Sequence, residues 1–238
     1  MSSTEACEVL VRKPKAAIIA ALPREISGLV RGTRPESELL LKGIHLHHID
    51  GAVVAAAGMG ASRVTLAFDA ALRTEGIDLV ISTGLAGACT AEIRVGEVVE
   101  ATTVIDAKTG EQYSCAAAGT ERLLATIDTI ASTREKARLR ESYNAVLVDM
   151  EAATVARLAL ARALRFRAVK GISDAHDFEM ESMSRFADVR GHFRTAAFAL
   201  HTALRPQNWS SAMRLGRESN RALTKLWDEL RALINSLS

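Results

Sequence analysis

Short apolar runs alternate along this chain with longer stretches of mixed character, and the spacing predicts alternating strands and helices. Ala16 to Ala21 reads as a buried first strand. Pro23 stands where a helix can begin, since proline is tolerated in a first turn. Leu39 to Ile49 and Ala52 to Ala57 flank Asp50-Gly51, a strong turn signal, and predict a hairpin. Gly58-Met59-Gly60 then leads into a helical stretch from Ala61 to Thr74. Ile77 to Ser82 predicts a strand that runs into a turn at Gly84 and Gly87. Val95 to Ile105 is extended, and Leu123 to Ile130, Ala145 to Val148 and Phe166 to Ile172 predict further strands. Helices are expected over Ala152 to Leu164, Gly191 to Leu204 and Ser210 to Leu237. This alternation implies a mostly parallel or mixed sheet with helices on both faces. There is no internal repeat and no low-complexity linker.

With 238 residues, 48% hydrophobic and 24% charged, the chain can bury one large core. Only 4% is aromatic, so Ala, Leu and Val must do most of the packing. A net charge of +2 argues weakly against a nucleic-acid partner. Arg134, Lys136, Arg138 and Arg140 gather locally, but Glu135 and Glu141 dilute them, and the run reads as a solvated helix face. Cys7, Cys89 and Cys115 form no closely spaced pair, which fits free thiols in a reducing compartment better than a disulfide framework. No apolar run has the length and flanks of a signal peptide or a membrane span, so the cytoplasm is the expected location.

Chemistry concentrates in two segments, Val148-Asp149-Met150-Glu151-Ala152 and Ile172-Ser173-Asp174-Ala175-His176-Asp177. Each puts a carboxylate where an apolar run ends, and an acid at a strand end projects into the crevice where α/β sheets bind ligands. Two such acids suit a reaction in which one grips a polyol and the other gives a proton to a departing base. Taken singly, they have plainer explanations: a helix dipole favours Glu151 at a helix start, and Ser173-Asp174 is a common cap or turn. His45, His47 and His48 crowd one strand, but no Cys or acid cluster completes a metal set, and they read as a solvated hairpin face. Neither a metal nor a cofactor is expected. His176 borders the pocket without touching the ligand in this reading.

With Thr83-Gly84-Leu85-Ala86-Gly87 upstream, the two acidic segments resemble the 5′-methylthioadenosine/S-adenosylhomocysteine nucleosidases, within the purine nucleoside and uridine phosphorylase superfamily. The resemblance covers roughly Ala16 to Leu204. It implies a three-layer α/β/α sandwich with a mixed, mostly parallel sheet, here with an extra C-terminal helix. Residues 1–205 would form the catalytic domain, and 206–238 an amphipathic helical extension. The implied activity is hydrolysis of the N-glycosidic bond of an adenine nucleoside. Glu151 would bind the ribose hydroxyls, Met150 would pack beneath the sugar, and Glu25 would orient the attacking water. Asp174 would protonate N7 of the purine, for which an apolar pocket should keep it protonated. Ser173, Leu85, Ala86 and Gly87, with the main chain at Ile130 and Ala131, complete the implied substrate-binding set.

The chain departs from that family in several places. Ile130 stands where an aromatic residue stacks on adenine, and the stretch from Tyr113 to Leu123 is short. Pro23 and Arg24 replace earlier acids of the Glu25 cluster, and Lys170 stands where Arg is frequent. Ser82 occupies the place of the phosphate-binding Arg of the phosphorylases, which favours water over phosphate, with Arg24 and Arg63 as alternative cations. Two other readings stay open: a phosphorylase acting on a nucleoside with a large 5′ substituent, and a catalytically weakened adenine-nucleoside-binding protein. After Pro206, Trp209, Met213, Leu223, Leu226, Trp227, Leu230, Leu233, Ile234 and Leu237 form an apolar stripe, with Arg214, Arg217, Arg221, Lys225 and Arg231 around it. The stripe predicts packing on the body or on a second subunit, a homodimer being expected, ahead of an anionic membrane surface.

Overall fold

The protein is seen in a computed structural model that describes residues 15–178 and 209–237. The helix expected over Gly191 to Leu204, Cys7, and the side chains of Trp209, Met213 and Arg214 lie outside the described residues. In chain order the elements are β1 (Ala16–Ala20), α1 (Pro23–Ile26), α2 (Ser37–Leu40), β2 (His45–Ile49), β3 (Ala52–Ala56) and α3 (Ala61–Ala71). Then follow β4 (Leu79–Ala88), β5 (Val98–Ala101), β6 (Thr103–Asp106), β7 (Gln112–Ser114), β8 (Leu123–Thr126) and α4 (Thr133–Tyr143). β9 (Ala145–Asp149), α5 (Ala152–Leu160), β10 (Arg165–Asp174) and α6 (Trp209–Ser236) complete the set.

All ten strands join one sheet in the order β2-β3-β1-β4-β9-β8-β6-β7, with β10 beside β4 and β5 beside β10. Five pairings are parallel and four antiparallel, so the sheet is mixed. β4 is the hinge of this topology. Its first half pairs with β1, and β10 runs beside it throughout. At Gly87 and Ala88 the β1 side passes to β9. Gly87 therefore lies between Val148 of β9 and Asp174 of β10, the two strands that end in acids.

β1 is apolar at every position because both of its faces are covered, as central strands of such sheets require. Ala17 and Ile19 face a core shared with α3 and α5, including Phe68, Val64 and Val155. Ala16, Ile18 and Ala20 face the opposite core, where α6 contributes Leu223, Leu226, Leu230 and Ile234. The apolar stripe of α6 is thus buried against the body, while Arg217, Arg221, Lys225 and Arg231 stay exposed. Trp227 lies over Gly28, where an added Cβ would come within 2.0 Å of its ring, and its indole N–H donates to the Glu25 carbonyl at 2.6 Å. Arg231 donates to the Gly28 carbonyl. Among the described residues, no helix is long and apolar enough to cross a membrane.

Several sequence expectations need correction. Leu39 and Leu40 belong to α2 rather than to a strand, and the turn that follows closes at Gly43, whose φ of +73° suits glycine. Gly84 and Gly87 do not turn the chain; β4 runs straight through them. α3 stops at Ala71, α5 at Leu160 and β8 at Thr126, each short of its predicted end. His47 is buried with Nδ1 at 2.9 Å from Thr33 Oγ1, so the histidine strand is not a wholly solvated face. Arg134, Arg138 and Arg140 of α4 are exposed as expected, but Lys136 is 1% exposed. Cys89 and Cys115 are free thiols, the first buried.

Candidate active site

Three carboxylates sit where strands end around β4. Glu25 follows β1, in the first turn of α1, and is buried. Its Oε2 accepts the Leu22 N–H at 2.8 Å and its Oε1 the Leu85 N–H at 3.1 Å. A Cβ at Gly84 would lie 3.0 Å from this carboxylate, so glycine leaves the room that the acid occupies. Two main-chain donors fix the carboxylate, and each oxygen keeps further acceptor capacity.

Asp174 ends β10 and is also buried. Gly87 faces it, and an added Cβ there would come within 2.8 Å of Oδ2 and 3.2 Å of Lys136 Cε. Along a strand, three residues span roughly 10 Å. Gly84 and Gly87 thus mark the two places where Glu25 and Asp174 come up against the main chain of β4.

The surroundings of Asp174 overturn the expectation of an apolar pocket. Lys136, reaching in from α4, places Nζ 2.5 Å from Asp174 Oδ2. The ammonium also donates to the carbonyls of Ala175 at 2.7 Å and Phe178 at 3.5 Å. Ser173 Oγ lies 2.5 Å from Asp174 Oδ1 and 3.2 Å from the Ala86 carbonyl. This buried carboxyl thus faces an ammonium and a hydroxyl rather than apolar groups alone. Burial pushes the nearby Cys89 thiol up to about 12, with Lys136 opposing and Asp174 adding to the shift.

Glu151 occupies the cap position of α5 and is half-buried. Its Oε1 accepts the Gly60 N–H at 2.8 Å, a contact that Gly60 makes at a φ of +83°. Loss of water pushes its carboxyl up to about 8, and Asp149 pushes the same way. The Gly60 N–H and Lys170 oppose that rise, whereas Glu25 adds a little to it.

A second buried ion pair stands behind Glu151. Lys170 Nζ is 2.8 Å from Asp149 Oδ2, both side chains being 1% exposed. Lys170 also donates to Ser82 Oγ at 3.0 Å and the Thr83 carbonyl at 3.3 Å. Asp149 Oδ1 accepts from Thr126 Oγ1 at 2.7 Å, and Oδ2 accepts the Ala152 N–H at 3.0 Å. Ser82 is therefore beside a cation that Asp149 already neutralises. Arg63 is tied to the carbonyls of Ala57 at 2.5 Å and Gly43 at 3.0 Å, while Arg24 is exposed.

The remaining predicted residues are more loosely placed. Met150 is half-buried between β9 and α5, Ile130 is half-buried before α4, and Ala131 packs with Cys89, Leu139 and Val148. Leu85 and Ala86 lie on β4 next to the Glu25 carboxylate and under Ser173. His176 helps to line a cavity of about 600 Å³ together with Cys89, Thr133, Ala137, Arg140 and Asn144. No group of His, Cys, Asp or Glu among the described residues is placed to hold a metal ion. Sequence reasoning missed Lys136. The signal was there: Lys136, Leu139 and Tyr143 share one stripe of α4, and that stripe faces inward.

Residues 15–124 and 123–205 match the Phosphorylase superfamily, and the chain belongs to that family. Among solved structures, it is similar to the apo 5′-methylthioadenosine nucleosidase of Arabidopsis thaliana, at 17% identity and a TM-score of 0.70 over 94% of this chain and 97% of that one. It is also similar to the Helicobacter pylori 5′-methylthioadenosine/S-adenosylhomocysteine nucleosidase with butyl-thio-DADMe-Immucillin-A (18% identity, TM-score 0.60, 91% and 98% covered). A third likeness is to futalosine hydrolase of Helicobacter pylori (17% identity, TM-score 0.60, 91% and 98% covered). At these identities the likeness speaks for the fold. No curated protein sequence matches the chain significantly.

Proposed function

We propose that this chain hydrolyses the N-glycosidic bond of an adenine nucleoside of the 5′-methylthioadenosine or S-adenosylhomocysteine type, releasing adenine and the sugar. The observation that carries the reading is Glu25, a buried carboxylate fixed by the Leu22 and Leu85 N–H groups beside the Gly84 segment. A carboxylate so placed can accept a proton from water as its oxygen attacks C1′, and it would repel a phosphate dianion. Glu151 is assigned to the ribose diol, with Met150 beneath the sugar. Asp174 is assigned to the purine, with Ser173, Leu85, Ala86, Gly87 and the main chain at Ile130 and Ala131 around it. Breaking the C1′–N9 bond leaves an electron pair on the base, and proton delivery from Asp174 makes adenine a neutral leaving group.

Among the described residues, the cations near this site support water as the nucleophile. Lys136 and Lys170 each face an aspartate, and Arg63 is tied to main-chain carbonyls. The same reading assigns residues 1–205 to catalysis and carries the expectation of a cytoplasmic homodimer. Its test is a panel of adenine nucleosides with varied 5′ groups, incubated with and without phosphate while free base and sugar are followed. Base release at full rate without phosphate, yielding free sugar, is expected. Release that stops without phosphate, or sugar 1-phosphate as product, assigns the chain to phosphorolysis. Binding without turnover reduces it to a nucleoside-binding protein.

A further inference from the structure

We propose that Lys136 is a positioning residue that supplies the proton Asp174 passes to the departing base. The inference rests on the nucleosidase reading and deepens it at one atom. Lys136 comes from α4, 38 residues before Asp174 in sequence, and buries its charge against Asp174 Oδ2. Its other N–H groups go to the Ala175 and Phe178 carbonyls, so it has no donor left over for a ligand. It therefore acts through Asp174.

The hydroxyl on the other side completes a relay. Ser173 carries one proton and lies within hydrogen-bond distance of both Asp174 Oδ1 and the Ala86 carbonyl. When Asp174 is ionised, the Ser173 hydroxyl donates to Oδ1. When Lys136 has passed its proton to Oδ2, the Ser173 hydroxyl keeps its bond to Oδ1 or swings to the Ala86 carbonyl. Both protonation states of Asp174 are thus fully hydrogen-bonded, with at most one hydroxyl rotation between them. A carboxylate that must both take and give a proton needs such a setting.

The step balances. The C1′–N9 bond breaks and its electron pair goes to the base. The base takes a proton from Asp174, Asp174 is resupplied from the Lys136 ammonium across the 2.5 Å contact, and Lys136 becomes a neutral amine. Water adds to C1′ and gives its proton to Glu25. Exchange with solvent after product release restores both groups. Storing the proton on a lysine keeps it available at neutral pH, where an unassisted carboxyl would have lost it.

Other ionisable groups adjoin the pair and must be set apart. Cys89, just after β4, stays a neutral thiol, pushed up to about 12 by burial. His176 and Asp177 after β10, with Arg140 and Glu141 of α4, line the cavity that Cys89 shares. Glu151, titrating near 8, adds the same limb to the profile of every variant. The informative quantity is therefore the difference between profiles.

The experiment measures kcat/KM against pH for the wild type, Lys136→Met and Lys136→Arg, with unfolding temperature and nucleoside affinity for each. In Lys136→Met the alkaline limb should move to lower pH, and the rate at neutral pH should fall on the order of 10²-fold, within the range of general acid catalysis. Lys136→Arg keeps the charge but does not release a proton, so it should fold and bind nucleoside without recovering that rate. Recovery of the full rate and profile by Lys136→Arg would overturn the inference, as would an unmoved limb in Lys136→Met. If neither variant folds, Glu151→Gln, which removes the Glu151 limb, decides. A rate that holds to about pH 9 in that variant supports the reservoir, because an ordinary lysine amine titrates at about 10. A limb at lower pH sinks it. A wild type that releases no base ends the nucleosidase reading and the inference together, whereas a wild type that releases base while Lys136→Arg recovers fully ends the inference alone.

Discussion

The two buried lysine–aspartate pairs are chemically alike and differ in what else holds the aspartate. Asp149 accepts the main-chain N–H of Ala152 and the Thr126 hydroxyl besides Lys170. Thr126 Oγ1 in turn accepts the Ala153 N–H at 3.0 Å, so the pair is stitched into the first turn of α5. Among the described contacts, Asp174 accepts no main-chain N–H; its partners are an ammonium and a hydroxyl. Main-chain N–H groups do not give up their protons, whereas an ammonium can, and a hydroxyl can turn away. The first arrangement keeps a charge where it is. The second lets a charge change.

The largest expected effect separates the pairs by activity. Asp174→Asn should cut base release by on the order of 10²–10⁴-fold while the chain stays folded. Asp149→Asn should act mainly on unfolding. Equal losses of turnover per folded molecule in the two variants would erase the distinction drawn here.

Stability should show the reverse order. Lys170→Met strands Asp149 in the interior, and breaking a buried pair from one side costs about 3–5 kcal/mol. Denaturant melts of Lys170→Met would read the loss directly, and an unchanged midpoint would mean that Thr126 and Ala152 suffice to hold Asp149.

A third variant probes spacing. In Gly87→Ala the new Cβ meets Asp174 Oδ2 at 2.8 Å, so the acid must move. A displacement near 1 Å at a reacting group costs on the order of 10²-fold in rate. Steady-state kinetics would register it, and full activity would place Asp174 away from the chemistry.

The shallowest effect belongs to Glu151, which keeps part of its surface in water. Its carboxyl is raised from the ordinary 4.5 to about 8, so the folded chain holds this proton more tightly than the unfolded one. That contribution is complete below 4.5 and is lost as pH rises through about 8. Glu151→Gln should flatten this decline in unfolding temperature between those limits. Parallel curves for the wild type and the variant would show that Glu151 does not titrate there.

Much of this architecture was legible in the chain. Asp50-Gly51 announced its hairpin because only a tight turn uses that pair so readily, and Gly51 does adopt a φ of +74°. Two of the acids were visible as polar residues closing apolar runs, and Asp149 and Asp174 do end β9 and β10. Gly84 and Gly87 misled, because local sequence cannot distinguish a glycine that bends the chain from one that makes room for a distant carboxylate. Lys136 was hidden for a related reason. The arginines around it, Arg134, Arg138 and Arg140, are exposed, and only the spacing to Leu139 and Tyr143 marks it as inward. A lysine's polarity argues for solvent, and its partner lies 38 residues away in sequence.

The contact between Trp227 and the Glu25 carbonyl joins positions 202 residues apart. Closing so long a loop is entropically slow, and it must await synthesis of α6. The segment that carries the carboxylate leaves the ribosome early, yet its main chain gains this brace only when the far end of the chain arrives. A polypeptide cut short before α6 would carry every acid of the site and lack the clamp that seats one of them. This brace therefore forms only after α6 has been synthesised.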